Sequence, residues 1–146
     1  MVATAEQTTK TGNDSRTLPA QTQTQRYARL VFRGLAALFI AGVAAQFLIV
    51  GIALFVDGSR WEIHQLLGHA LGIPALLMLV ASLAGRMTLV VKLLSALLPL
   101  QVLMQQVTVS IGDWAGAVHP LNALLMFGIG LTLLRTGTRV DQTRRD

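Results

Sequence analysis

Apolar residues along this chain do not alternate with polar ones at the period of an amphipathic helix or a strand. They come in four nearly unbroken runs, each close to the ~20 residues that cross a hydrocarbon core. The runs are Leu30–Val56, Trp61–Ala84, Thr88–Ile111 and Ala117–Leu134. Between them stand only Asp57-Gly58-Ser59-Arg60, Gly85-Arg86-Met87 and the stretch from Gly112 to Gly116. Links this short force consecutive helices to run antiparallel. The pattern predicts an all-α fold, a four-helix transmembrane bundle running up-down-up-down. A soluble four-helix bundle would need a polar stripe on every helix, and these runs are apolar on nearly all sides.

The segments outside the runs read differently. Residues 1–25 are rich in Thr, Gln and Ser with few large apolar side chains, so they are expected to form a disordered cytoplasmic tail. That stretch has no charged start, short apolar run and small-residue cleavage site, so the first apolar run is expected to stay in the mature chain. The transmembrane domain is expected over residues 26–136, and residues 137–146 form a basic cytoplasmic tail.

Composition agrees with a bilayer as solvent, at 53% hydrophobic and 13% charged residues. The net charge of +5 could suggest nucleic acid, but the basic residues flank the apolar runs instead of lining one soluble face. Eleven of the twelve Lys and Arg residues fall on one side of the predicted membrane, and Arg60 alone lies on the other. Asp57, Glu62 and Asp113 share that other side with Trp61 and Trp114. The arrangement is therefore N-in and C-in, expected in a bacterial cytoplasmic (inner) membrane, with the lipid bilayer as partner and no nucleic acid. The absence of cysteine excludes disulfides, thiolate metal sites, iron–sulfur clusters and covalent c-type haem.

Polar side chains inside a bilayer are costly, so they mark candidate sites. Here they gather at one level. His64 and His69 lie in the outer half of helix 2, and His119 and Asn122 open helix 4 at the same end. Gln105, Gln106 and Thr108 stand near the outer end of helix 3, with Gln46 on helix 1. His64, Gly68 and Gly72 follow at i, i+4 and i+8, which leaves a small-residue strip under an imidazole. His119 likewise stands above Ala123. Two neutral imidazoles at equal depth on different helices are what an iron porphyrin takes as axial ligands. Gln105 or Gln46 is the expected partner of an imidazole N–H. His69, five residues on at ~100° each, points roughly 140° away from His64 and cannot share a metal with it from one face. It serves either as the alternative ligand, as part of a quinone site with Gln105 or Asn122, or as an interhelical hydrogen-bonding residue. No phosphate-binding loop, Ser-His-Asp constellation or acidic metal cluster is present, and nothing suggests an enzyme acting alone.

The strings His64-Gln-Leu-Leu-Gly68 and Val118-His119-Pro120-Leu121-Asn122-Ala123-Leu124 resemble a family of small bacterial four-helix membrane proteins of unknown function, over roughly residues 30 to 135. The resemblance implies histidine at the positions of His64 and His119 and variability at that of His69. More distantly, the arrangement is similar to b-type cytochrome membrane domains and to the histidine-bearing four-helix halves of haem A synthases. Those families imply bis-histidine haem b and electron transfer with quinol. This chain lacks their inner-half histidines, which limits it to one haem.

The leading expectation is thus a haem-b-binding membrane protein that uses His64 and His119 near the outer face, in electron transfer or haem handling. The alternatives are a cofactor-free accessory subunit of a larger membrane complex or homo-oligomer, and a quinone-binding protein.

Overall fold

The computed structural model describes residues 21–142. Most of the tail expected over residues 1–25, and the end of the one expected over 137–146, lie outside the described residues. Those described are helical throughout apart from short turns, with no strand among them. Helix α1 spans Gln23–Phe55, and a single 3₁₀ turn at Gly58–Arg60 leads into α2, Trp61–Ala70. Then follow α3 (Gly72–Ala84), α4 (Leu89–Ile111) and α5 (Asp113–Gln142).

Among the described residues, four helical units are long and apolar enough to cross a membrane: 23–55, 58–84, 89–111 and 114–137. At ~1.5 Å per residue the 23 residues of α4 reach about 34 Å, enough for a ~30 Å hydrocarbon core. Large apolar side chains cover the outside, among them Leu66 at 74% and Ile73 at 64% exposure. In water such a surface would aggregate; in lipid it is the solvated face.

Local chemistry sets the helix ends. Thr22 caps α1 by accepting from the Gln25 N–H, while the Gln25 carboxamide accepts from the Thr22 N–H. This reciprocal box starts the helix ahead of the apolar run, in Gln23–Arg29. Thr88 caps α4 by accepting from the Val91 N–H. Gly112 ends α4 at φ 75°, a backbone conformation that side chains with a Cβ rarely adopt.

The second unit is two helices. Pro74 has no N–H to give the carbonyl four residues back, and its ring crowds that carbonyl, so the helix breaks at Leu71 between α2 and α3. Pro99 and Pro120 sit inside α4 and α5, which continue through them.

Packing follows the order of a square: α1 lies against α3 and α5, and α4 lies between α3 and α5. The second and fourth units therefore stand on one diagonal. Buried positions recur at helical spacing, with Phe32, Ala36, Phe39 and Val43 on α1. On α4 the stripe is Val91, Ser95, Leu98, Val102 and Gln105. Met78 and Leu133 complete a core whose largest side chains are wholly enclosed. The buried Ser82 and Ser95 hydroxyls donate to the carbonyls of Leu79 and Val91, each at 2.7 Å, so neither needs a partner from another helix.

One end of the square carries the basic residues. From α1, Arg29 Nε donates to the Gly85 carbonyl at 3.1 Å, and Arg33 Nε to the Gly137 carbonyl at 2.8 Å, with its Nη2 on the same oxygen. The Gly85 carbonyl is at the C-terminal cap of α3, where a guanidinium meets both a backbone acceptor and the negative end of a helix dipole, and the Gly137 carbonyl lies in the last third of α5. The contacts also fix direction: the start of α1 lies beside the ends of α3 and α5, which run antiparallel to it.

Candidate functional site

At the opposite end the square opens. Helix α3 buries Pro74, Ala75, Met78, Ala81 and Ser82, whereas α2 buries no residue at all. Beyond the break at Leu71, α2 leans on α1 and barely touches α4. What remains between the four units is a cavity of about 370 Å³, with Leu71, Val102 and Met126 at the edge of the packed core and Trp61 among the lining residues near the start of α2.

His64 from α2 and His119 from α5 face one another across it. Their ring centroids are 6.0 Å apart with the planes tilted by 55°, although their helices occupy a diagonal of the square and make no backbone contact. The Trp61 indole meets His64 edge-on at 5.5 Å. In both imidazoles Nδ1 is buried and has no hydrogen-bond partner. Buried nitrogens of this kind carry a desolvation cost that a bound group would relieve.

Gly68, Ala123 and Gln105 also line the cavity. The strip beneath His64 is only partly open, because a Cβ at Gly68 would lie 2.9 Å from Gln46 Nε2. The Gln46 carboxamide occupies that space to donate to the His64 carbonyl at 3.0 Å. Gln46 thus meets the backbone of His64, where the sequence suggested the ring. Its own Oε1 is buried without a partner.

Three of the residues singled out from sequence stand elsewhere. Gly72 is not among the residues that line the cavity: it faces Val102 of α4, whose Cγ1 would be 3.7 Å from an added Cβ, one turn along α4 from the Gln106 that Gly68 approaches. Asn122 ties α5 to α4: its Nδ2 donates to Gln105 Oε1 at 2.9 Å and to the Gln101 carbonyl at 3.0 Å. His69 is exposed, outside the cavity, with Nδ1 2.7 Å from the Gln65 carbonyl one turn back. A quinone site built from His69 with Gln105 or Asn122 is therefore not assembled.

Sequence reasoning missed Trp61 and Pro120 as cavity-lining residues. Trp61 stands three positions before His64, hence on the same helical face, and the interface role assigned to it masked that signal. Arg60, the one Lys or Arg at this end among the described residues, is held by Asp57 at 3.1 Å.

Residues 46–111 are similar to DUF6220, a family of unknown function. The matched stretch carries Gln46, His64, Gly68 and Gln105 and stops before α5, which carries His119. Neither the curated proteins nor the solved structures contain a match to this chain.

Proposed function

We propose that this multi-pass membrane protein binds one haem b, with His64 and His119 as axial ligands, and serves electron transfer or haem handling. The observation that carries the reading is the imidazole pair. Metal–nitrogen bonds of about 2 Å on either side of an iron put two imidazole centroids roughly 6 Å apart, which is the separation between His64 and His119. The diagonal placement of their helices suits ligation from opposite faces of a ring. At about 370 Å³ the cavity is near the small end of the ~300–1,000 Å³ of small-molecule sites, so a porphyrin would take all of it and reach its open side. Such a group supplies one-electron chemistry, and the chain supplies two neutral nitrogens, an apolar wall and exclusion of water. In this reading the histidine end faces outward and the Arg29–Arg33 end faces the cytoplasm of a bacterial inner membrane, following the distribution of basic residues.

The test is the absorption spectrum of detergent-purified protein titrated with haem. A Soret band is expected in the parent and in His69→Ala, and it is lost in His64→Ala and in His119→Ala. Binding also quenches Trp61, which stands beside a ligand. Protein that stays colourless with excess haem overturns the proposal.

A quinol in the same cavity is the second reading, favoured by Gln46 Oε1, a buried acceptor suited to a ligand hydroxyl. Colourless protein that co-purifies with a stoichiometric quinone, and loses it in Gln46→Leu, would establish it instead.

A further inference from the structure

The loosest seam of the square lies between α2 and α4. At the level of Gly68 the two helices still approach, since a Cβ there would be 3.8 Å from Gln106 Nε2. One turn nearer the histidine end, Gln65 on α2 is exposed and Val109 on α4 is 55% exposed, and both line the cavity. The cavity therefore reaches the side of the bundle, near the exposed Leu66 and Ile111 as well as the exposed Glu62, His69 and Ser110. Its end is not so clearly open: Trp61 lines the cavity there, edge-on to His64, and Asp57 and Arg60 are paired with each other in the preceding turn.

We infer that the cavity is loaded sideways from the bilayer, through a portal between α2 and α4 bounded by Gln65 and Val109. Its ligand is then drawn from lipid-dissolved, largely apolar molecules, and water-borne polar solutes are excluded. Gln65 and Gln106 give the portal a polar lip, able to hydrogen-bond a polar edge of a flat ring as its apolar body passes. The inference rests on the reading of the cavity as a ligand site, but its test uses no haem, so it stands or falls separately from axial ligation.

The absence of cysteine makes the test clean. Ala123→Cys places a single thiol on the cavity wall of the full-length protein in liposomes. It is treated with an uncharged aryl maleimide, which partitions into the bilayer, or with a sulfonated maleimide confined to water. Rates are normalised to Ser59→Cys at the exposed turn. The aryl reagent is expected to react about tenfold faster than the sulfonated one, equivalent to ~1.4 kcal/mol of barrier. Adding Val109→Trp slows it several-fold, while Ile73→Trp, on the exposed face of α3 and outside the cavity lining, leaves the rate unchanged. Met126→Cys, deeper on α5, repeats the measurement if Ala123→Cys does not fold. Equal or faster reaction with the sulfonated reagent would mean that the cavity opens to water and overturns the inference. So would equal slowing by Ile73→Trp, which would make the effect of Val109→Trp independent of the portal, or failure of both thiols to react at all.

Discussion

The two ends of this bundle are built on opposite plans. At the basic end Phe32, Phe39, Met78, Leu98 and Leu133 fill the space between helices completely, and Arg29 and Arg33 tie α1 to the carbonyls of Gly85 and Gly137. At the histidine end the same four units enclose a hollow edged by imidazoles and carboxamides whose hydrogen-bonding capacity is partly unused. The difference teaches where stability and chemistry reside. One end holds the helices together so that the other can leave polar groups unpaired, a local cost that functional sites commonly carry.

The contrast breaks most visibly under core truncation. In lipid the transfer term of a buried side chain nearly vanishes, because the acyl chains are as apolar as the core, but the void remains. Phe39→Ala leaves a gap on the order of 100 Å³, costing about 2 kcal/mol at ~24 cal/mol per Å³. Ala123→Leu, which adds volume at the hollow end, should change stability by less than ~0.5 kcal/mol. Reversible unfolding in mixed detergent micelles measures both. Equal losses would mean that the two ends are packed alike.

A smaller effect sharpens the boundary between them. Gly68→Ala puts a methyl group 2.9 Å from Gln46 Nε2, so the carboxamide has to leave the His64 carbonyl, at a cost of about 1 kcal/mol. The cost should shrink when Gly68→Ala is combined with Gln46→Ala, and a double-mutant cycle reads that coupling. Strict additivity would show that Gln46 does not occupy the space.

The smallest effect is expected in the turn before α2. The Ser59 side chain and N–H hydrogen-bond to the Asp57 carboxylate, with help from Arg60, and hold its pKa below the ordinary carboxylate value. A depressed pKa stabilises the fold above the unfolded value and loses that contribution as pH falls through the lowered folded value. The protection factor of the Ser59 amide should therefore fall under acid well before those of the core amides, and Asp57→Asn should remove that pH dependence.

Much of this was legible in the chain. Four uninterrupted apolar runs with three-to-five-residue links leave little choice of architecture, and the pairing of His64 with His119 followed from their common depth. The rest depended on side chains meeting across helices. Pro74 is visible as a helix breaker, but that α2 would lean away from α4 while α3 stayed packed is a tertiary outcome. Gly68 read as open space because nothing in a single helix shows that Gln46 fills it from α1. Gly72 meets Val102 of α4 below the cavity, a contact between helices that the i, i+4, i+8 series on one helix does not show. Arg29 and Arg33 were counted as charges that orient the chain, and they also tie α1 to the C-cap of α3 and to a carbonyl within α5.

The break at Leu71 turns α2 into a short lever. His64 lies seven residues beyond it, an arm of roughly 10 Å at ~1.5 Å per residue. Tilting α2 by about 6° would move the imidazole by about 1 Å while α3 stayed fixed in the core. A shift of that size separates a nitrogen within bonding reach of a shared central atom from one outside it. The geometry opposite His119 is therefore set by one proline in the middle of the second helical unit as well as by the two histidines.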